Sequence, residues 1–196
     1  MAKTVTYIYD DPTLARQAVT ALEEAGYSSD EISVVRQDDS GDLVSEDDSV
    51  ADGATTGASL GLAAGAGAGL LASLGLIAIP GIGPLVAAGV LATTLAGAAA
   101  SAVSGVLVGA LVDYGVSDEE AHVYAENLRR GGTLVSVRTD EARLSDAELI
   151  MQRYTPVDAR ERETMYRGEG WSGYDADAPI YTPQEREAER RRYGSF

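Results

Sequence analysis

Three regimes of hydrophobic patterning follow one another along this chain. Thr4–Tyr9 (TVTYIY) is β-branched and aromatic and reads as a strand. Asp11-Pro12 supplies an N-cap and first-turn pair, and Ala15, Ala18, Val19 and Leu22 then mark one face of a helix that stops at Gly26. Ile32–Arg36 (ISVVR) is a second strand. The spacing predicts a β-α-β unit whose two strands run parallel in one sheet.

The same pattern returns near residue 117. Ser117 and Glu120 form a capping box, Ala121, Tyr124, Ala125 and Leu128 give the buried stripe, and Gly131-Gly132 ends the helix before the strand Thr133–Arg138 (TLVSVR). Ser145 and Glu148 read as a second box, opening a short helix to about Tyr154. Two helix–strand pairs sharing a sheet predict an α+β fold, a ferredoxin-like sandwich. Its third strand is expected from the acidic stretch 37–52, around Leu43-Val44.

Between these halves, residues 53–112 contain no Lys, Arg, Asp, Glu or His. Gly53, Gly57, Gly61, Gly65 and Gly69 recur every fourth residue, as do Gly89, Thr93, Gly97, Ser101, Gly105 and Gly109. Glycine costs a helix about 1 kcal/mol against alanine, so helical spacing of this kind suggests faces stripped for close backbone approach. The expected form is a long antiparallel helical hairpin, a glycine zipper, with one helix to about Ala78 and another from about Leu85 to Val112. Pro80, Gly81, Gly83 and Pro84 would make its turn.

A helix of about 26 residues reaches about 39 Å, more than the roughly 30 Å hydrocarbon core of a membrane. Membrane association is therefore one expectation, with lipid as a partner and the charged remainder in the cytoplasm. A soluble cytoplasmic homo-oligomer burying the same surface is the other. Asp47, Asp48, Asp52, Asp113 and Asp118 flank the segment without the basic residues that orient ordinary spans.

Residues 156–196 lack long apolar periodicity. They are expected to wrap the surface as a charged tail or remain flexible, anchored by Met165, Tyr166, Trp171, Tyr174 and Tyr181, with Pro183–Tyr193 as an exposed helix. The organisation thus divides at 1–52, 53–112, 113–155 and 156–196.

Composition narrows the chemistry. A net charge of −16 over 196 residues excludes general binding to nucleic-acid phosphates. Absence of cysteine excludes thiol catalysis and disulfides, and His122, the single histidine, excludes multi-histidine zinc sites. The opening MAKTVTYIYDD does not read as a secretory signal. GAGAG at 65–69 departs from G-x-G-x-x-G and follows no strand, so no dinucleotide cofactor is expected. Asp38, Asp39, Asp42, Glu46, Asp47 and Asp48 could gather a divalent cation, but read better as a solvated loop. His122 with Glu126 four residues on is a formal acid–base pair lacking a nucleophile. Arg129-Arg130 suits a helix C-terminus, and Arg190–Arg192 is a local basic spot.

The stretches TVTYIYDDPTLARQAVTALEEAGYSSDEISVV and GVSDEEAHVYAENLRRGGTLVSVRT, with the glycine-rich stretch between them, resemble the bacterial general stress protein family, described as heat-induced stress protein-like. The resemblance spans about residues 3–138 and leaves out the tail. It implies a stress-linked accessory protein and carries over no catalytic residue. The expected function is a non-enzymatic structural or assembly protein that self-associates or inserts in a membrane, with no cofactor and no evident small-molecule substrate. A small-molecule or divalent-metal sensor, or a hydrolase centred on the acidic loop and His122, is the alternative.

Overall fold

A computed structural model describes residues 3–37, 75–79, 83–99 and 105–193. In chain order the elements are β1 (Lys3–Tyr9), α1 (Pro12–Glu24), β2 (Ile32–Gln37), β3 (Gly75–Ile79), β4 (Gly83–Ala88), α2 (Val90–Ala99), α3 (Val106–Asp113), α4 (Asp118–Arg129), β5 (Thr133–Thr139), α5 (Glu141–Gln152), α6 (Ala159–Gly168) and α7 (Pro183–Tyr193). The five strands form one sheet in the order β1-β5-β2-β4-β3, antiparallel at every step. β1 and β2 both oppose β5 and so run parallel to each other, with β5 between them.

Alternation along each strand sends side chains to two faces, and both faces are covered. On one, Tyr9, Ile32, Val34, Val135 and Val137 pack with Ala15, Ala18, Val19 and Leu22 of α1 and Ala147 and Met151 of α5. On the other, Ile8, Val35, Leu85, Ala87 and Leu134 pack with Leu91 and Leu95 of α2, Leu107 and Leu111 of α3, and Ala121, Ala125 and Leu128 of α4. The architecture is α+β in three layers. The expected ferredoxin-like sandwich would put its two repeated helices on one face, whereas α1 and α4 lie on opposite faces. A buried stripe says that a helix is covered; the path of the chain decides from which side.

The uncharged segment departs furthest from expectation. Residues 75–79 and 83–88 are strands of a β-hairpin, where the helical hairpin required helix to about Ala78 and again from Leu85. Gly83 and Pro84 open β4, while Pro80 and Gly81 lie outside the described residues, as do Gly53, Gly57, Gly61, Gly65 and Gly69. The physical reason is visible at Gly89. With φ at +84°, it turns the chain from β4 into α2 rather than lying within a helix, and a Cβ there would stand 2.1 Å from the Ile32 carbonyl oxygen. Ser33 completes the junction: its hydroxyl accepts the Leu91 backbone N–H at 3.1 Å and shares a hydrogen bond with the Tyr114 hydroxyl at 3.2 Å.

Beyond it the single long helix expected to Val112 is two, α2 and α3. Gly97 lies within α2, and Gly105, at φ +84°, stands before the first residue of α3. Gly109 lies within α3, where a Cβ would meet nothing within 4 Å among the described residues. The strand beside β2 is β4, drawn from the uncharged segment; Leu43-Val44 falls outside the described residues.

Local signals at the helix starts vary in their outcome. Asp11 accepts the Thr13 N–H at 2.7 Å, and Ser117 bonds Glu120 through side chain (2.6 Å) and backbone (3.3 Å). The second expected box does not start its helix. α5 begins four residues before Ser145, capped by Asp140, which accepts the Ala142 and Arg143 N–H groups at 3.0 and 3.1 Å.

Candidate functional site

The densest polar chemistry lies where α4 ends and the C-terminal tail crosses it. Glu126 is fully buried and accepts Nε (3.0 Å) and Nη2 (2.6 Å) of Arg129 together with Nε of Arg130 (2.7 Å). Spacings of three and four place all three on one turn of α4. The tail meets the remaining guanidinium atoms. Arg129 Nη1 donates to the Pro179 carbonyl at 3.0 Å, and Arg130 Nη1 donates to Glu169 at 3.1 Å and Glu189 at 3.2 Å. Tyr166 lies under Arg130, ring centre to guanidinium carbon 4.0 Å, with Tyr181 5.7 Å away.

A second centre adjoins the first. Arg162 of α6 grips Asp10 with both Nη atoms, and Asn127 donates to Asp10 at 3.2 Å. Asn127 stands so close behind Gly132 that a Cβ on the glycine would lie 1.6 Å from its Oδ1. Arg186 of α7 is buried against Gly131 and donates to Gln37, whose own Nε2 donates to the Arg129 carbonyl at 3.1 Å. Four guanidiniums therefore share this region with the carboxylates of Asp10, Glu126, Glu169 and Glu189.

Charge pairing explains how such groups tolerate burial. Burial works against the charge on Arg130, but Glu126 more than offsets it and holds its pKa above the usual guanidinium value. Asp10 does the same for Arg162. Tyr166, fully buried, is pushed up to about 12 by burial, against the pull of Arg162 and Arg130. Trp171 packs edge-on to Tyr166 with ring centres 5.7 Å apart, and Tyr174 packs against the core on the α4 face.

Beside Asp10 a cleft of about 220 Å³ opens between the starts of α1 and α6. Asp11, Asp158, Glu161, Leu14 and Met165 line it. Asp11 and Asp158 each give one oxygen to cap a helix. No group of three or more acidic or histidine side chains among the described residues is arranged to hold a metal ion. The acidic loop Asp38–Asp48 lies outside the described residues.

His122 sits half-buried on α4, its Nδ1 without a partner among the described residues. Glu126, the base that sequence spacing offered it, is committed to two arginines. Arg190 and Arg191 pair with Glu187 along α7, and Arg192 pairs with Glu169 at 2.8 Å. The tail network was accessible to sequence only in part. Glu126, Arg129 and Arg130 carry a readable spacing signal, whereas nothing local joins Arg162 to Asp10 or Arg186 to Gln37.

Comparison with protein-family models, with curated proteins and with solved structures found no match to this chain.

Proposed function

We propose that this chain is a non-enzymatic, stress-associated assembly protein that self-associates through its uncharged segment. The observation that carries the reading is the place of that segment in the fold. Its strands β3 and β4 extend the sheet outward from β2, so a charge-free stretch forms one margin of a chain whose net charge is −16. Copies of so acidic a protein repel one another over most of their surface, and this margin is where they can meet without opposing charges. The stress association rests on the sequence resemblance over residues 3–138.

The enzymatic alternative gains no support, since the polar cluster is internally paired and the capping aspartates at the cleft are engaged with backbone. Insertion in a membrane is the other form of association that an uncharged segment allows. The stretch from Leu85 to Val112 is broken into strand and two helices, and no helix among the described residues is long and apolar enough to cross a membrane.

Sedimentation of the full chain across a range of concentration and salt tests the reading. A particle heavier than the 20.4 kDa chain, favoured by salt that screens mutual repulsion, is expected. A monomer under all those conditions would overturn it.

A further inference from the structure

The two edges of the sheet are finished differently. At β1, Lys3 begins the strand, the Ile8 carbonyl accepts the Val157 N–H at 2.8 Å, and the Thr6 carbonyl accepts the Tyr124 hydroxyl at 3.2 Å. Gly115 approaches the same edge, an added Cβ there lying 3.6 Å from Thr4 Cβ. The chain thus closes this edge with its own atoms. At the opposite edge, β3 pairs with β4 from Gly75↔Ala87 to Ile79↔Gly83 and has no second neighbour among the described residues. Its sequence, GLIAI, has no charge, no proline and none of the lysines that usually blunt an edge.

An edge strand carries a row of outward backbone donors and acceptors, solvated when alone, that another extended segment can pair in register. We propose that the segment is β3 of a second copy, paired antiparallel about a two-fold axis, so that two five-stranded sheets become one of ten strands. This rests on the self-association reading and names its contact. Three features favour an identical partner. Antiparallel pairing of one strand with itself is closed by a two-fold axis and so ends at a dimer. Pairing centred on Ile77 sets Ile77 opposite Ile77, Leu76 opposite Ala78 and Gly75 opposite Ile79, with no like charges in register. The flanking β4 is also uncharged, so neither strand of the edge hairpin brings a charged residue to the joint.

The test uses the full chain in two forms. Ile77→Lys and Ile77→Glu each place like charges opposite one another in the homodimer and are expected to weaken association about tenfold. An equimolar mixture of the two is expected to recover it, because the central pair then becomes Lys opposite Glu. Ile77→Cys covers the case in which the charged variants do not fold. The chain has no other cysteine, so mild oxidation of the associated protein should yield a covalent dimer through that position.

Variants that associate as tightly as the parent, or an associated Ile77→Cys protein that forms no covalent dimer, would overturn the β3 contact while leaving self-association standing. A parent chain that is monomeric throughout, with the outward-facing β3 amides (those not bonded to β4) protected from hydrogen exchange, would show its own chain covering the edge and would remove both.

Discussion

Arg162 reaches back across the whole sheet-forming chain to Asp10, donating Nη1 to Oδ1 at 2.9 Å and Nη2 to Oδ2 at 2.5 Å. The pair joins α6 to the turn between β1 and α1, and its side chains are 6% and 12% exposed. A two-pronged guanidinium–carboxylate contact fixes orientation as well as distance, so the tail is docked in a single pose rather than draped over the surface.

Breaking one side of this pair leaves the other charged and buried. Asp10→Ala should therefore cost about 3–5 kcal/mol of folding stability. Limited proteolysis within residues 159–193 should accelerate alongside it. Denaturant unfolding measures the first effect and peptide mapping the second. A loss below about 1 kcal/mol, the scale of an exposed pair, would mean that the contact is solvated in solution.

Gly89 and Gly109 separate a backbone requirement from a zipper. At Gly89 an alanine would meet the Ile32 carbonyl at 2.1 Å and would also have to adopt φ +84°, so Gly89→Ala should severely destabilise the sheet. Gly109 stands in α3 with open space beyond it among the described residues. There Gly109→Ala should raise stability by up to about 1 kcal/mol through helix propensity, without weakening the proposed self-association. Thermal unfolding and sedimentation of both variants check this. Loss of association in Gly109→Ala would restore close helix packing at that glycine.

These two glycines also show why the uncharged segment was hard to read. Spacing of four does not distinguish one helical face from a mixture of junction glycines, as at Gly89 and Gly105, with glycines inside short helices, as at Gly97 and Gly109. The bulky residues told more: Leu76, Ile77, Ile79, Leu85 and Val86 flank the sequence Pro-Gly-Ile-Gly-Pro, a composition that suits a hairpin once the spacing of the glycines is set aside. By contrast, β1, β2 and β5 announce themselves by β-branched alternation, and Asp11 and Ser117 by cap chemistry that acts within three residues. The ferredoxin-like expectation put α1 and α4 on one face for another reason, since the stripe of α4 is the same whichever face of the sheet it covers. Of the tail network, the turn holding Glu126, Arg129 and Arg130 was legible. The Asp10–Arg162 pair was not, because it depends on where the finished fold puts α6.

The start of α5 gives a clean local test of cap against apparent cap. The Asp140 carboxylate accepts the Ala142 and Arg143 N–H groups, so Asp140→Ala should cost about 1 kcal/mol. Ser145 is exposed within the helix, where serine is slightly less favourable than alanine, and Ser145→Ala should be neutral or mildly stabilising. Urea unfolding of the pair decides it; equal losses would move the helix start back to Ser145.

Glu169 makes tail docking sensitive to acid. Burial pushes its pKa up, but hydrogen bonds from Tyr193 and Arg130 and the nearby charge of Arg192 more than offset this, and the net value lies below the ordinary 4.5. In the unfolded chain the carboxyl returns to its ordinary value. The folded state thus prefers the ionised form, and the stabilisation is complete above 4.5 and lost as pH falls through the lower folded value. Glu169→Gln should therefore have a lower thermal midpoint than the parent near neutrality, with the gap closing as the medium is acidified below 4.5. A gap that stays constant through that window would mean that Glu169 contributes shape rather than charge to holding the tail.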